Sequence, residues 1–544
     1  MNHVRLLAVA VALSACSGPG AEGGGRDERP NVLLIVADDL AYADLGSYGG
    51  DVRTPNLDRL AERGVRFSQF HTAPMCAPTR AMLLSGNDNH VAGMGIQGGA
   101  GGPFEGRPEY QGHLSDRVIP FPRLLADAGY HTYSVGKWHL GTSEDHTPTS
   151  AGFERSFQLL QGAGDHFSDI ALSPRDSVST YWVDGRYGSW PQGAYSTEHY
   201  TDRLIAFIEE GREDQRPFFA FAAYTSPHWP LQVPDEYLDL YRGRYDMGYD
   251  RLREMRFESL KAAGIVPRGW ELPPRLDWIT PWQELSPEEQ RTESRKMELY
   301  AAMVENLDHH VGRLLGFLED EELLDNTVVV FMSDNGAAAE DFYNVGPFVD
   351  WLRRNYDNSY ETMGTRSSYV SYGPQWAEAG SAPYHGHKTY AHEGGVVAPM
   401  IVAGPGIEGA GSIQRAFVGV SDIAPSVLEI AGVTYPGERG MAETRPMTGT
   451  SMMPLLRGET DRIHPPDELL ALSHGQHAYV RLGDWKLASD DQYRGDGTFA
   501  LYDLARDPGE TTDVSGRYPD KRSELLDSLE AFRARVGVVI PERQ

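Results

Sequence analysis

The 544-residue chain is 40% hydrophobic, enough for a large core and for more than one domain. Its 49 Lys and Arg against 78 Asp and Glu give a net charge of −29, which argues against nucleic acid and other polyanions as partners but leaves room for a local basic pocket holding one anionic group. No apolar run is long enough to span a bilayer.

Met1-Asn2-His3-Val4-Arg5 is a short, weakly basic start, followed by an apolar run from Leu6 to Leu13 and then by Ser14-Ala15-Cys16. The chain has two cysteines, Cys16 and Cys76, which could pair or be committed separately. The start resembles a bacterial lipoprotein signal peptide spanning residues 1–15, with cleavage before Cys16 and lipidation of its sulfur. An ordinary secretory signal with a chance cysteine is the alternative. The resemblance implies lipoprotein-processing machinery as a partner and an exported chain, periplasmic or outer-membrane-anchored, that meets the membrane by its lipid only. Ser17 stands where an inner-membrane retention aspartate would. Residues 16–29 form a flexible polar tether.

Asn31 to Ala37 is a continuous apolar run, the pattern of a strand buried on both faces, and it ends in Asp38-Asp39. Thr54-Pro55 opens a helix through Leu57, Leu60 and Ala61 that stops at Gly64, and Val65 to Phe70 forms a strand. Pro74-Met75-Cys76-Ala77-Pro78-Thr79-Arg80 then begins a short helix with proline in its first turn and Gly86 as its stop. Cys76 falls at the helix mouth, where free N–H groups favour an anion, and Arg80 lies one turn on along the same face. Taken alone, this pair could equally be a buried cysteine beside a surface arginine.

The order of helix, strand and polar residues repeats. Phe121–Ala128 reads as a helix and His131–Val135 as a strand, followed by Lys137-Trp138-His139. Glu198–Glu209 is helical and Pro217–Tyr224 a strand, followed by Ser226-Pro227-His228. Met297–Leu318 is the longest helix, and Thr327–Met332 an apolar strand ending in Ser333-Asp334-Asn335-Gly336. Polar groups thus collect past the carboxyl ends of four strands, the ligand-binding edge of an open α/β sheet. Residues 229–296, rich in Arg, Glu, Trp and Pro, and 341–383, rich in Tyr, Trp, Phe and Gly, are long insertions whose aromatic content suits a hydrophobic leaving group, or which serve as surface cover. The main domain spans 30–435. Residues 436–544 form a smaller α+β subdomain, with strands at Ala478–Leu482, Trp485–Ala488 and Phe499–Leu504 and a helix at Arg522–Val536.

Asp38, Asp39, Asp334 and Asn335 are oxygen donors at strand ends, a hard set suited to Ca²⁺, or to Mg²⁺ if the site is tighter. Zinc fits them poorly. Cys76-Ala77-Pro78-Thr79-Arg80 matches the C-x-P-S/T-R signature of the type I, formylglycine-dependent sulfatases of the alkaline phosphatase superfamily. The resemblance extends, in order, to Asn31-Val32-Leu33 with Asp38-Asp39, Gly136-Lys137-Trp138-His139, Ser333-Asp334-Asn335-Gly336, Lys388 before His392-Glu393-Gly394-Gly395, Leu501-Tyr502-Asp503-Leu504 and Asp507-Pro508-Gly509-Glu510. Ser371-Tyr372-Gly373-Pro374 and Ala391 to Gly395 bring it closest to the bacterial arylsulfatases.

The resemblance implies an alkaline-phosphatase-like fold, with a large mixed, mostly parallel sheet flanked by helices. It implies hydrolysis of aryl or other hydrophobic sulfate esters, with a formylglycine-generating enzyme as maturation partner. Cys76 would become formylglycine, supplying the nucleophilic hydroxyl and one metal ligand, while Asp38, Asp39, Asp334 and Asn335 complete a Ca²⁺ site. Arg80 and Lys137 would orient and neutralise the hydrated aldehyde and the sulfate, and His139 would be the base that releases sulfate. His228 and Lys388 would bind the ester and assist the departing oxygen. The rivals are a phosphonate monoester or phosphodiester hydrolase sharing this signature, and a non-catalytic anion or glycan binder. Gly93-Met94-Gly95-Ile96-Gln97-Gly98 spells GxGxxG, but no buried strand precedes it and no helix follows, so Gly93 to Gly102 reads as a mobile loop beside the nucleophile. His309-His310 reads as solvated helix surface, His385-Gly386-His387 as substrate-loop histidines, and His71 and His90 as neighbours of the nucleophile segment.

Overall fold

The computed structural model describes residues 29–98, 101–173, 176–436 and 444–541. The expected signal peptide, Cys16 and the expected tether up to residue 28 lie outside the described residues.

Asn31–Ala37 lies in the middle of the main sheet, parallel to Thr327–Ser333 on one side and Phe218–Ala223 on the other. Every residue of it is buried: Leu33, Ile35 and Ala37 enter one core layer, Val32, Leu34 and Val36 the other. That two-sided burial is the reason its sequence is apolar without alternation. His131–Lys137 and Arg155–Leu159 continue the parallel series beyond Phe218–Ala223. Beyond Thr327–Ser333 comes Val397–Ala403, antiparallel to both neighbours, and then Val65–His71. The sheet is mixed and mostly parallel, as expected. The 34-residue helix Pro287–Asp320 covers one face, and Cys76–Ser85 and Ile423–Ile430 cover the other. Among the described residues, no helix is long and apolar enough to cross a membrane.

Several boundaries move. The long helix starts at Pro287 rather than Met297, nucleated by a capping box between Ser286 and Glu289; its first turns are polar and carry no apolar stripe to read. The insertion after His228 contains the helix Tyr249–Ala262, whose inner face mixes Leu252, Phe257 and Leu260 with buried Arg253 and Arg256. Val397–Ala403 went unread because Pro399 demotes a strand reading; the sheet accommodates it at a register shift between Ala398 and Met400.

The small sheet runs Leu469–His474, His477–Leu482, Trp485–Ser489, Ala500–Asp503, antiparallel throughout. Helix Pro519–Val536 seals it through Leu525, Leu529, Phe532 and Val536. Met452 to Leu456 pack in the main core instead, beside Ile423 and Leu428.

Candidate active site

The strand ends converge. Asp38 and Asp39 leave Asn31–Ala37, Lys137 ends its own strand, Asp334 and Asn335 follow Thr327–Ser333, and His228 follows Phe218–Ala223. Asp39 and His139 hold positive φ (67° and 59°), as does Thr389 at 82° beside Lys388. Such left-handed backbone is strained for residues with a Cβ, and here it re-aims side chains at a common centre.

Cys76 opens the helix Cys76–Ser85, which Gly86 closes at φ 65° with its N–H on Met82 O. Thr79 fixes the approach by accepting from Ala73 N–H at 3.0 Å and donating to Ala73 O at 3.1 Å. Cys76 Sγ sits 3.9 Å from Asp39 Oδ1. Burial pushes its thiol up, with Lys137 and Lys388 opposing, so the thiol stays protonated. Arg80 is almost fully buried and spends all three nitrogens, Nε and Nη2 on Asp334 Oδ2 (3.0 and 2.8 Å) and Nη1 on Lys137 O (2.8 Å). It is therefore no surface arginine; it ties the helix that Cys76 opens to two strand ends.

Lys137 Nζ bonds both oxygens of Asp38, and Lys388 Nζ lies 2.8 Å from Asp39 Oδ2 and 3.7 Å from Glu340 Oε1. Burial raises Asp38 to about 7 against the pull of Lys137. Burial acts on Asp39 in the same sense, but Lys388, His228 and Lys137 overcome it and hold that carboxyl well below the usual range.

Asp38, Asp39, Cys76 and His228 each offer one ligand atom within 4.8 Å of the others. Asp334 adjoins them by accepting the Asp39 N–H at 3.2 Å, and Asn335 by donating to Asp39 Oδ1 at 2.6 Å. Asn335 Oδ1 is buried with no hydrogen-bond partner, a carbonyl aimed for a cation rather than a donor. Three carboxylates and this orphaned oxygen fit a hard divalent ion. Arg80, Lys137 and Lys388 already balance the three carboxylates, so such an ion would leave the cage net positive and ready for an anionic ester.

His139 is half-buried, with its Nδ1 buried and without a partner, and its ring lies where a Cβ on Gly162 would fall, 2.4 Å away. Burial, then Lys137, Arg80 and Lys388, hold it neutral well below the ordinary histidine value. His228 Nδ1 donates to Trp229 O at 2.7 Å, leaving Nε2 facing Asp39 Oδ2 at 3.4 Å; burial keeps it neutral too.

The family model for Sulfatase matches residues 30–433. The chain is a sulfatase. It is 39% identical over 449 residues to the arylsulfatase of Klebsiella aerogenes, covering 82% of this chain and 96% of that one. An uncharacterized sulfatase of Schizosaccharomyces pombe is 38% identical over 535 residues, covering 94% and 95%. Among solved structures, one in complex with its substrate D-glucosamine-2-N,6-O-disulfate superposes with a TM-score of 0.62 at 22% identity, covering 95% of this chain and all of the other, a likeness of fold. This sulfatase is thus a sulfuric ester hydrolase.

The remaining candidates scatter. His71 Nε2 lies 3.0 Å from Glu393 Oε2, whereas His90 pairs with Asp88 and stacks edge-on with Tyr110. His310 is buried, correcting the solvated reading, while His309 is exposed. His387 Nδ1 donates to Lys388 O at 3.1 Å, and His385 packs 4.9 Å from His392. Gly93 to Gly95 are buried, with Gly95 O accepting from Gly475 N–H of the small sheet's first turn, so this stretch is packed on the small domain rather than loose. Sequence reasoning missed Gly162 and Glu340. It also missed Tyr300 and Arg256, which reach Asp44 at 2.6 and 2.8 Å and brace the loop carrying Asp39 from behind.

Proposed function

We propose that this sulfatase hydrolyses sulfate monoesters with aryl or similarly hydrophobic leaving groups, using formylglycine made from Cys76 and a Ca²⁺ ion. The observation that carries the leaving-group reading is an aromatic wall beside the cage. Trp229 lies against the His228 ring, with centroids 4.0 Å apart, and meets Phe342 edge-on at 5.2 Å and Tyr369 at 5.7 Å. Leu172, Leu352 and Tyr356 back it. Likeness to the Klebsiella arylsulfatase supports the same class.

The protonated thiol supports modification, because a buried neutral Cys76 is a poor nucleophile. Formylglycine would supply a hydroxyl pair in its place, one to attack and one to expel sulfate. A Ca²⁺ ion held by Asp38, Asp39, Asp334, Asn335 and the modified residue 76 would polarise a sulfate oxygen and favour ionisation of the attacking hydroxyl. The chain's own groups do the rest. Lys137 and Lys388 neutralise the sulfate oxygens as charge builds in the transition state. Neutral His139 accepts the proton whose loss frees sulfate. His228 and Lys388, on the side of Trp229 and Glu340, hold the leaving oxygen, and Lys388 has protons to give it. Arg80 holds Asp334 and the Lys137 backbone in register.

The sequence before residue 29 supports an exported lipoprotein anchored through Cys16, periplasmic or on the outer membrane; labelling with a fatty acid that Cys16→Ser abolishes is the expected result.

Mass analysis of the peptide containing Cys76, from protein made with its maturation enzyme, is expected to show sulfur replaced by oxygen with loss of two hydrogens. Free thiol alone in fully active protein overturns the modification. Paired aryl sulfate and aryl phosphodiester substrates test the reaction, and a preference for the phosphodiester overturns the sulfate-ester assignment.

A further inference from the structure

Lys388 stands on a turn, residues 385–396, that the small domain grips through buried charge. Lys486 Nζ, fully buried, bridges Glu393 Oε1 at 2.7 Å and Glu510 Oε1 at 2.8 Å. Glu510 Oε2 accepts the Glu393 N–H. A second clamp meets the turn at Ala391 and His392, just before Glu393. Asp490 accepts from Ala391 N–H at 2.7 Å and pairs with His392 Nδ1 at 2.8 Å, while His392 Nε2 lies 3.2 Å from Tyr502 OH. Burial opposes the charge on Glu393, but Lys486 and His71 hold it ionised; Asp490 does the same for His392, whose pKa is raised despite burial.

From this gripped turn, contacts run directly into the site. Lys388 N–H donates to Ala337 O at 3.0 Å, and Thr389 N–H to Pro74 O at 2.9 Å, two residues before Cys76. Glu393 Oε2 meets His71, which ends the strand leading to Cys76. There is no slack: a Cβ on Gly394 or Gly395 would fall 2.3 or 2.1 Å from the carbonyl oxygens of Gly386 or Tyr390.

We infer that Lys486, Glu510 and Asp490 of the small domain are positioning residues for Lys388. They hold its turn against the nucleophile segment, so the second domain completes the site rather than decorating it. The inference rests on the role of Lys388 given above. A buried ammonium shared by two carboxylates has one low-energy geometry, and losing it leaves like charges free to push the turn outward.

The test compares Lys486→Met, Lys486→Arg, Asp490→Asn and Lys388→Ala in the full-length matured enzyme, over aryl sulfates of graded leaving-group pKa. Lys486→Met is expected to lower kcat/KM roughly 10- to 100-fold, to raise KM, and to steepen the dependence on leaving-group pKa as Lys388→Ala does. Lys486→Arg is expected to recover most of the loss, and the Lys486→Met/Lys388→Ala double variant to lose little more than Lys388→Ala. Asp490→Asn keeps the shape and one acceptor oxygen while removing the charge, so it gives a milder form of the same signature should Lys486→Met fold poorly. A lower melting temperature with wild-type KM and leaving-group dependence in both Lys486→Met and Asp490→Asn overturns the proposal. A wild-type Lys388→Ala refutes the role of Lys388 itself, and an altered Lys486→Met beside it overturns the proposed route.

Discussion

Both carboxylate oxygens of Asp38 receive the Lys137 ammonium, at 2.7 and 2.8 Å, with neither side chain exposed. Removing one partner of a buried pair costs about 3–5 kcal/mol because the other charge is stranded. Lys137→Met should therefore unfold earlier than wild type in chelator. Because Ca²⁺ would replace the missing charge, its addition should raise the melting temperature more in Lys137→Met than in wild type. Equal shifts on adding Ca²⁺ contradict the shared cage.

Asp334 serves two masters, Arg80 through Oδ2 and the Asp39 backbone through Oδ1. Asp334→Asn keeps the shape but removes the charge, so metal content and activity should fall together, with kcat/KM down about 10²–10³-fold. Elemental analysis of the purified variant decides it. Full metal occupancy would remove Asp334 from the ligand set.

Gly162 gives the His139 ring its place, since a methyl there would lie 2.4 Å from it. Gly162→Ala should lower kcat by about 10- to 100-fold while circular dichroism stays native. His139→Gln should lower it further, by about 10²–10⁴-fold. The half-buried, cation-flanked imidazole holds its pKa well below the ordinary histidine value. The acid limb of kcat, which includes the step that frees sulfate, should therefore lie below the ordinary histidine range, and a limb near pH 6.5 or above would assign the base elsewhere.

Far from the site, His464 lies 2.8 Å from Asp422 and 3.1 Å from Glu468, which raise it to about 9 against the effect of burial. The folded state holds this proton more tightly than the unfolded chain. Its contribution is complete below about pH 6.5 and is lost as pH rises to about 9, roughly 1–2 kcal/mol after solvent screening. His464→Gln should flatten that part of the stability–pH curve in chemical denaturation, and an unchanged slope contradicts the pairing.

The sequence made the edge of the candidate site readable because each of these polar groups follows an apolar strand, and chain order alone puts Asp38, Lys137, His228 and Asp334 on one rim. It was silent where partners are distant and each residue type is ordinary. Lys486 looks like any strand lysine until Glu393, 93 residues away, is beside it. Gly162 has no local signature, because its meaning is the space it leaves for His139. Arg256 broke the apolar stripe that would have betrayed its helix, and it does so because Asp44 and Asp51 wait for it underneath. Such errors come from buried polar groups, which resemble surface in one dimension.

Around Trp229, which follows the strand Phe218–Ala223, the aromatic wall is held by ring packing and by turns and the short helix Val349–Asn355 of the 341–370 insertion, with no strand of the main sheet in it. The cage itself is locked by strand ends, buried ion pairs and glycines with no room for a methyl group. One half of the pocket is thus rigid against mutation and the other permissive. Laboratory evolution toward new leaving groups should gather its gains in 341–370 and almost none in 385–396, and chimaeras exchanging the former between relatives should keep their chemistry while trading their substrates.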